Sequence, residues 1–362
     1  MVFDKIEFNK MEIIKDLGKG QYGKVYLVSI KNNYYALKRQ KIMKSAIKKN
    51  YKYNIWKEID FCKWISKLDK QDKIFFMNLY DYQIIKCDFE LKPEKICNLK
   101  LYNELKKSPY CIDFLYNIQN VTLYDLIEKN EINYKQKLSI IIQCLYTMYI
   151  MHQSNYYHND THTKNIMITF CDFDKLIKLK INDKIYNLKS YGHIVTFIDY
   201  GMINHTKFLL NKKDEKDYIF NKNHNMDLFI FIDTCLINDN QNIHPYIKYK
   251  KNILYKYFKK LYEKYYIDYL IIKNQYLGLW NDNNITEWFN KFEQNKLSVN
   301  LFLYKGICFE LIQLLCIYNR DIFCKTFEIP YFKLFIDDDI VKIIKLNLYD
   351  EDKTIIELLK YI

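Results

Sequence analysis

A short segment near the middle of the chain carries the clearest chemical signature. His158, Asp160 and Asn165 fit the pattern H-x-D-x-x-x-x-N, and an apolar run, 166–168, follows directly. In this pattern the aspartate accepts or orients the proton of an attacking hydroxyl, and the asparagine binds Mg²⁺. The spacing therefore indicates phosphoryl-transfer chemistry, with Asp160 as a catalytic group and Asn165 as a metal ligand.

Two further motifs supply the charges that a bound triphosphate requires. Asp199 opens an Asp-Tyr-Gly variant of Asp-Phe-Gly, whose carboxylate bridges Mg²⁺ to the β and γ phosphates. Lys38 closes an Ala-Leu-Lys signature and would pair with the α and β phosphates. Glu58 fits the acid that holds the lysine ammonium in place, although Asp60 lies close enough to be confused with it.

The glycines cluster where a phosphate chain could lie. Gly18, Gly20 and Gly23 are three of only seven glycines, and they form G-x-G-x-x-G between two strand patterns. A P-loop would need a hydroxyl where Val25 stands. A dinucleotide fold would need a helix after the glycines and an acid in the region that Lys38 occupies. The order of glycines, valine and lysine instead fits a glycine-rich hairpin that covers ATP phosphates.

Secondary-structure patterns place these motifs on elements that could position them. Residues 11–39 predict three strands, joined by the glycine turn and by a turn at 31–33. Helical spacing predicts a helix over 54–66, and alternation around Asn182 and Asp183 predicts a hairpin within 176–187. The other predicted elements are strands at 112–116, 166–170 and 194–198, helices at 122–128 and 134–151, and a mostly helical region from 228 onward.

Charge and hydropathy do not favour another class of function. The net charge of +13 is almost wholly lysine, in a chain rich in Lys, Asn, Ile and Tyr. Because this composition is typical of an AT-rich coding sequence, we do not expect nucleic acid as a partner. No apolar run is long enough to span a membrane, and residues 1–10 lack the apolar core of a secretory signal. These features predict an intracellular, cytoplasmic protein.

The cysteines and histidines show no ligand spacing. The ten cysteines are scattered without a C-x-x-C pair, so we expect reduced, mostly buried thiols and neither a disulfide framework nor a zinc site. His152, His193, His205 and His224 do not cluster, and we expect each of them to be a surface or capping residue.

Taken in order, the motifs resemble the protein kinase superfamily over residues 11–235. The resemblance implies an α+β, bilobal fold with a small β-rich N-lobe that contains one main helix, predicted over 1–117. It implies a larger, mostly helical C-lobe over 118–362, with a hairpin insertion near 171–193 and a divergent helical end. ATP would be the phosphate donor, with Mg²⁺ or Mn²⁺ as the metal.

The resemblance also assigns roles to individual residues. The catalytic set is Asp160, Lys38, Glu58 and His162. The metal ligands are Asn165 and Asp199. The nucleotide would lie against Leu17, Gly18, Gly20, Gly23, Val25, Ala36 and Lys38. Because all the charged positions of the pattern are filled, the motifs do not favour a catalytically dead scaffold.

The residues within and around the motifs look like those of the serine/threonine kinases of poxviruses and other large DNA viruses. The segments that carry this likeness are 158–162, the hairpin insertion and the run 190–201. The likeness implies a virus-encoded enzyme that phosphorylates Ser and Thr of proteins in the host cytoplasm and is packaged in the virion.

Several departures from ordinary protein kinases affect the expected substrate. Asn159 replaces the arginine that usually precedes Asp160. His162 stands where serine/threonine kinases place a lysine, as in aminoglycoside and choline kinases, so a small-molecule phosphotransferase is the alternative function. Asp227 resembles the buried aspartate that braces the catalytic loop through its backbone. No Ala-Pro-Glu signature lies between Asp199 and Asp227, which predicts a shortened or remodelled peptide-docking segment.

The segment between Asp199 and Asp227 also bears on whether the enzyme is regulated by phosphorylation. Between the Asp-Tyr-Gly motif and Asp227, Thr206 and Tyr218 are the only phosphorylatable residues, and arginine is absent. A phosphate clamp normally needs the bidentate fork of arginine, and Asn159 lacks it. The sequence therefore predicts an enzyme that is competent without phosphorylation of this segment.

Overall fold

The computed structural model describes residues 8–19, 23–88, 99–129, 132–223, 227–228, 231 and 351–362 of the chain. Gly20 and most of the helical region predicted from 228 onward lie outside these ranges. Within them, none of the helices combines the length and hydropathy that crossing a membrane would require.

An antiparallel sheet of five strands forms the amino-terminal part, in the order β1-β2-β3-β5-β4. Lys31 and Asn32 form the two-residue turn between β2 and β3 with φ of 50° and 64°, the left-handed geometry that matches strand twist. The three strands predicted over 11–39 are therefore confirmed. The strands are β1 (Glu12–Lys19), β2 (Gly23–Ile30), β3 (Asn33–Ile42), β4 (Leu79–Lys86) and β5 (Tyr110–Tyr116).

Helix α1 (Asn54–Ile65) supplies the main helix of this part, and it ends one residue earlier than predicted. Its apolar positions recur at helical spacing, so one face is buried in the same core as Phe114 of β5. Glu58 is also buried on this helix, which is costly for a carboxylate unless it is paired.

The following part is mostly helical and is organised around α5. The side chains and backbones of Asn133 and Gln136 form a reciprocal capping box at the start of α5. Every residue from 138 to 151 is buried, as expected of a helix surrounded by other elements. The other described helices are α2 (Lys70–Lys73), α3 (Leu99–Lys107), α4 (Leu123–Lys129), α6 (Lys212–Asn223) and α7 (Glu351–Leu358), and α5 spans Tyr134–Gln153.

Two small sheets contact α5 (Tyr134–Gln153), and two strands of one of them adjoin the chemical motifs. In the hairpin β8-β9, Asn182 and Asp183 adopt φ of 48° and 63°, so the predicted turn and hairpin are confirmed. Strand β7 pairs antiparallel with β10, which sets Ile166 opposite Phe197 and brings the residues beside them together. The strands are β6 (Val121–Thr122), β7 (Ile166–Phe170), β8 (Leu176–Ile181), β9 (Lys184–Lys189) and β10 (His193–Phe197). The lobe boundary at 117/118 remains a prediction.

The expectation of reduced thiols is wrong for one pair of cysteines. Cys87 and Cys111 form a disulfide, with their Cα atoms 5.8 Å apart. The cause is β4, a strand that the sequence patterns did not predict, since its pairing sets Ile85 opposite Cys111. Three free cysteines are described, of which Cys62 and Cys144 are buried.

Gly23 is required by the close approach of β2 to β3. A Cβ atom at this position would lie 2.1 Å from the carbonyl oxygen of Arg39, whereas one on Gly18 would meet nothing within 4 Å. We expect Gly23→Ala to lower the free energy of unfolding by about 1–3 kcal/mol, the usual cost of overpacking. Gly18→Ala is the matched control, with a change below about 0.5 kcal/mol. Denaturant unfolding without nucleotide compares the two, and equal stabilities would refute the steric argument.

Candidate active site

A network of ion pairs joins the five-stranded sheet to the helical part. Lys38 Nζ on β3 donates to Glu58 Oε1 at 2.9 Å and to Asp199 Oδ1 at 2.8 Å. Burial alone would lower the pKa of Lys38, but the charges of Glu58 and Asp199 raise it above its ordinary value. The ammonium is therefore held as a cation between α1 and the segment after β10.

Glu58, and not Asp60, is the acid that faces Lys38. Glu58 is 1% exposed as a whole residue, and its carboxylate also accepts a hydrogen bond of 2.7 Å from the hydroxyl of Tyr116. Sequence reasoning missed Tyr116, because a tyrosine at the end of an apolar strand gives no sign of where its hydroxyl points. The second hydrogen bond partly compensates for removing the carboxylate from water.

The segment after α5 forms a loop that holds Asp160 and Asn165 together. The side-chain amide of Asn165 donates to Asp160 Oδ2 at 2.8 Å and to the Asp160 carbonyl oxygen at 3.0 Å. The amide N–H of Ile198 donates to the Asn165 carbonyl oxygen at 2.9 Å. These bonds place the H-x-D-x-x-x-x-N segment beside the Asp-Tyr-Gly motif, as the sequence predicts.

His162 lies beside Asp160, with 3.5 Å between His162 Nε2 and Asp160 Oδ1. Burial lowers the pKa of His162, although the nearby carboxylate of Asp160 acts in the opposite direction. The lowered pKa favours the neutral imidazole near neutral pH. The structure therefore brings this residue to the loop, where a neutral ring can donate one hydrogen bond.

Asp199 is held in a left-handed backbone conformation with φ of 59°, which is uncommon outside glycine. The Lys38 ammonium holds the pKa of Asp199 below its usual range. Its side chain is 48% exposed, so a carboxylate oxygen is available to a ligand. Strain of this kind is characteristic of functional sites.

Tyr200 fills the aromatic position of the Asp-Tyr-Gly motif and is completely buried. Its ring centroid lies 4.7 Å from that of Phe61 on α1. The hydroxyl donates to the Phe197 carbonyl oxygen at 2.6 Å and accepts from the Met77 N–H at 2.7 Å. The extra oxygen relative to phenylalanine is therefore satisfied, and it links α1, β10 and the segment before β4.

Asp227 braces the catalytic loop, as the sequence predicts. The buried carboxylate accepts from the backbone N–H of His158 at 2.8 Å and of Asn159 at 2.6 Å. The Thr161 hydroxyl donates to the Asp227 carbonyl oxygen at 2.5 Å, and His158 Nε2 donates to the Ile198 carbonyl oxygen at 3.0 Å. The loop backbone is thus fixed on both sides of Asp160.

The expectation of surface or capping roles for the histidines is wrong for His193, which is buried, and for His152. Its Nε2 lies 3.0 Å from Asp227 Oδ2 and its Nδ1 lies 2.5 Å from Glu351 Oε1 on α7. Of the other two, His205 is a cap that accepts from the Lys207 N–H, and His224 lies outside the described residues. His152 therefore bridges the carboxylates of Asp227 and Glu351. The sequence gives no sign of this bridge, because 199 residues separate His152 from Glu351.

This bridge predicts a pH-dependent contribution to stability. Burial alone would lower the pKa of His152, but Glu351 and Asp227 raise it to about 10. Because the folded-state pKa lies above that of the unfolded chain, the stabilisation is complete below about pH 6.5 and is lost as the pH rises through about 10. We expect Glu351→Gln to cost more than about 1.4 kcal/mol at pH 7, one pKa unit of interaction. Its stability difference from wild type should narrow by pH 10, and a constant difference would contradict the charged bridge.

Gly18 lies on β1 and Gly23 begins β2, with Gly18 opposite Val25 in the register. Leu17 is half-exposed on β1, and Ala36 lies two residues before Lys38 on β3. The predicted nucleotide-contacting residues therefore lie on three adjacent strands, apart from Gly20, which is outside the described residues.

The oxygen donors that the catalytic loop and the Asp-Tyr-Gly motif bring together fit Mg²⁺ bound through a nucleotide. Asp199 offers a carboxylate oxygen and Asn165 an amide oxygen, the hard donors that Mg²⁺ prefers. No group of three or more His, Cys, Asp or Glu side chains suited to a metal occurs among the described residues. The pair of donors from Asp199 and Asn165 suits Mg²⁺, which uses one or two carboxylates together with substrate phosphates.

Comparison with known proteins identifies a family. Residues 11–208 match the protein tyrosine and serine/threonine kinase family. The chain is also similar to the crystal structure of a kinase domain, with 19% identity and a TM-score of 0.37. That match covers 58% of this chain and 56% of the other, so the chain spans about half the length of that structure. None of the curated proteins matches the chain.

Proposed function

This chain belongs to the protein tyrosine and serine/threonine kinase family, and on that premise we propose that it transfers the γ-phosphate of ATP to serine and threonine hydroxyls of proteins. Family membership supports phosphotransfer by a protein kinase with an α+β, bilobal fold. The preference for Ser and Thr and the dependence on Mg²⁺ are the proposed refinements.

The observation that carries the proposal is the pairing of Lys38 with both Glu58 and Asp199 at 2.9 and 2.8 Å. In kinases the lysine–glutamate pair and the metal-binding aspartate must both be in place before phosphate is transferred. Glu58 and Asp199 contact Lys38 in the same arrangement, and the Asn165 amide donates to the Asp160 carboxylate, which supports the proposed roles.

Each residue has a distinct task in the proposed reaction. Lys38 would bind the α and β phosphates, with Glu58 fixing the direction of its ammonium. Asp160 would accept the hydrogen bond of the acceptor hydroxyl and take its proton as the new oxygen–phosphorus bond forms, while the bond from the γ-phosphorus to the β,γ-bridging oxygen breaks and ADP leaves with that oxygen. Asp199 and Asn165 would hold Mg²⁺, which neutralises charge on the phosphate oxygens when bound. His162 would donate to the γ-phosphate beside Asp160.

The amino-acid sequence of the catalytic loop supports serine and threonine as acceptors, because it resembles that of viral serine/threonine kinases. We further propose a virus-encoded enzyme of the host cytoplasm on the same resemblance. His162 favours one alternative, a small-molecule phosphotransferase, because a histidine occupies this position in aminoglycoside and choline kinases.

Transfer of radiolabelled γ-phosphate tests the proposal. The purified chain would be incubated with labelled ATP, Mg²⁺ and generic proteins, followed by phosphoamino-acid analysis. We expect label in phosphoserine and phosphothreonine and none in phosphotyrosine. Label confined to metabolites in a parallel screen of aminoglycosides and choline-like amines would favour the alternative, and phosphotyrosine alone would refute the proposed specificity.

A further inference from the structure

We propose that Lys207 and Asp60 are positioning residues that hold helix α1, and with it Glu58, in place for the reaction without a phosphorylated residue. Lys207 lies in the segment after the Asp-Tyr-Gly motif, and Asp60 lies on the outer side of α1. The inference deepens the proposed function and rests on it for its effect on turnover.

The contact itself is an ion pair with aromatic support. Lys207 Nζ donates to Asp60 Oδ2 and to the Tyr156 hydroxyl, and it lies 4.7 Å from the centroid of the Tyr156 ring. The Tyr51 hydroxyl donates to Asp60 Oδ1 at 3.1 Å. Burial alone would raise the pKa of Asp60, but the hydrogen bond and charge of Lys207, together with the Tyr51 hydroxyl, lower it below its ordinary value. Both groups are therefore charged near neutral pH, and each has a second partner.

Neighbouring apolar contacts fix the segment that presents Lys207. Phe208 is 1% exposed, and its ring centroid lies 4.8 Å from that of Tyr51. The His205 ring lies 4.4 Å from Tyr156 and accepts from the Lys207 N–H at 2.9 Å. Burial of an aromatic side chain on one side of the lysine and the His205 cap on the other restrict the positions that its ammonium can take.

The segment is also tied to the catalytic loop by direct hydrogen bonds. Tyr157 and Asn204 exchange two backbone bonds, of 3.0 and 2.8 Å. The side-chain amide of Asn159 donates to the Met202 carbonyl oxygen at 3.1 Å. A phosphate clamped by arginine normally orders this segment, whereas here an amide on a carbonyl and a lysine on a carboxylate make the connections.

Helix geometry explains why a contact at Asp60 acts on Glu58. Residues two positions apart on a helix point about 200° apart around its axis. Glu58 therefore faces inward to Lys38 while Asp60 faces the segment that carries Lys207. A helix held from both sides has little freedom to rotate Glu58 away, so loss of the outer contact should lower the fraction of molecules with the inner pair formed.

Hydrogen exchange on α1, measured beside turnover, tests this inference. The variants are Lys207→Met and Asp60→Asn, with Lys207→Arg as the conservative rescue and Lys213→Met, an exposed lysine on α6, as the matched control. We expect exchange of amides in 54–65 to rise about fivefold or more in the first two variants and to stay at the wild-type rate in the last two. The kcat of Lys207→Met and of Asp60→Asn should fall about tenfold, and their KM for the protein acceptor should stay within twofold of wild type.

The measurement of hydrogen exchange needs no turnover, so it tests the positioning role of Lys207 and Asp60 separately from the proposed kinase function. A wild-type chain that labels no protein sinks the proposed function, whereas faster exchange in the two variants still supports the positioning role. Unchanged exchange in both Asp60→Asn and Lys207→Met overturns that role, and Asp60→Asn keeps nearly the same size in case Lys207→Met fails to fold. Wild-type enzyme treated with a broad phosphatase and repurified should keep its activity within twofold. A loss greater than tenfold would overturn independence from phosphate.

Discussion

Asp160→Asn should reduce phosphoryl transfer by about 10²–10⁴-fold, the range in which a positioned general base contributes. The asparagine keeps the size of the side chain and the acceptor oxygen for the Asn165 amide, which lies 2.8 Å from Asp160 Oδ2. It removes the carboxylate that takes the hydroxyl proton. ATP affinity should stay within a few-fold, because no part of the proposed nucleotide contact involves this residue.

Single-turnover transfer and nucleotide titration on the same preparation measure the two quantities. Asp174→Asn is a matched control, since this aspartate lies between β7 and β8 with its side chain 82% exposed. Equal losses of transfer and of ATP binding would contradict the role of Asp160 as a group that positions only the acceptor.

Asp199→Asn should remove both turnover and the dependence of nucleotide binding on Mg²⁺. Of the two carboxylates that pair with Lys38 in the described part of the chain, that of Asp199 is about half exposed, with 48% of its side chain accessible against 2% for Glu58. Without its charge the proposed metal ligand is lost, and the pKa of Lys38 falls because one of its two paired anions is gone.

Calorimetric titration with ADP at several Mg²⁺ concentrations separates these effects. Wild type should bind ADP more tightly as Mg²⁺ increases, and the variant should show a flat response together with at least a hundredfold loss of transfer. A variant that kept the metal response of the wild type would exclude Asp199 as a ligand.

The elements that the sequence predicted best are those with a local signal. Asn182 and Asp183 specify a hairpin because both tolerate the left-handed backbone that a two-residue turn requires. The helix over 54–66 was evident because its apolar residues repeat at helical spacing on one buried face. Strand β4 escaped prediction because seven of its eight residues are half-buried, so it shows no alternation.

At the site, order along the chain was enough to identify the motifs but not all their contacts. The spacing of Lys38, Glu58 and Asp199 matched a known order, and the structure brings the three together. Tyr116 could not be predicted, because its hydroxyl reaches Glu58 across the fold from a position 58 residues away. The role of Lys207 could not be predicted, because nothing in the sequence indicates that it meets Asp60.

The bridge from His152 to Glu351 has a consequence for the timing of synthesis. Asp227, which holds the catalytic loop, meets His152, but the outer carboxylate of that bridge is encoded 199 residues after the histidine. At about 5–20 residues per second, a ribosome takes about 10–40 s to cover that distance. From the moment Asp227 has been added until Glu351 follows, the nascent chain contains every residue of the catalytic motifs, yet the bridge behind the loop lacks one of its two anions. The loop therefore reaches its final support only after residue 351 has been made.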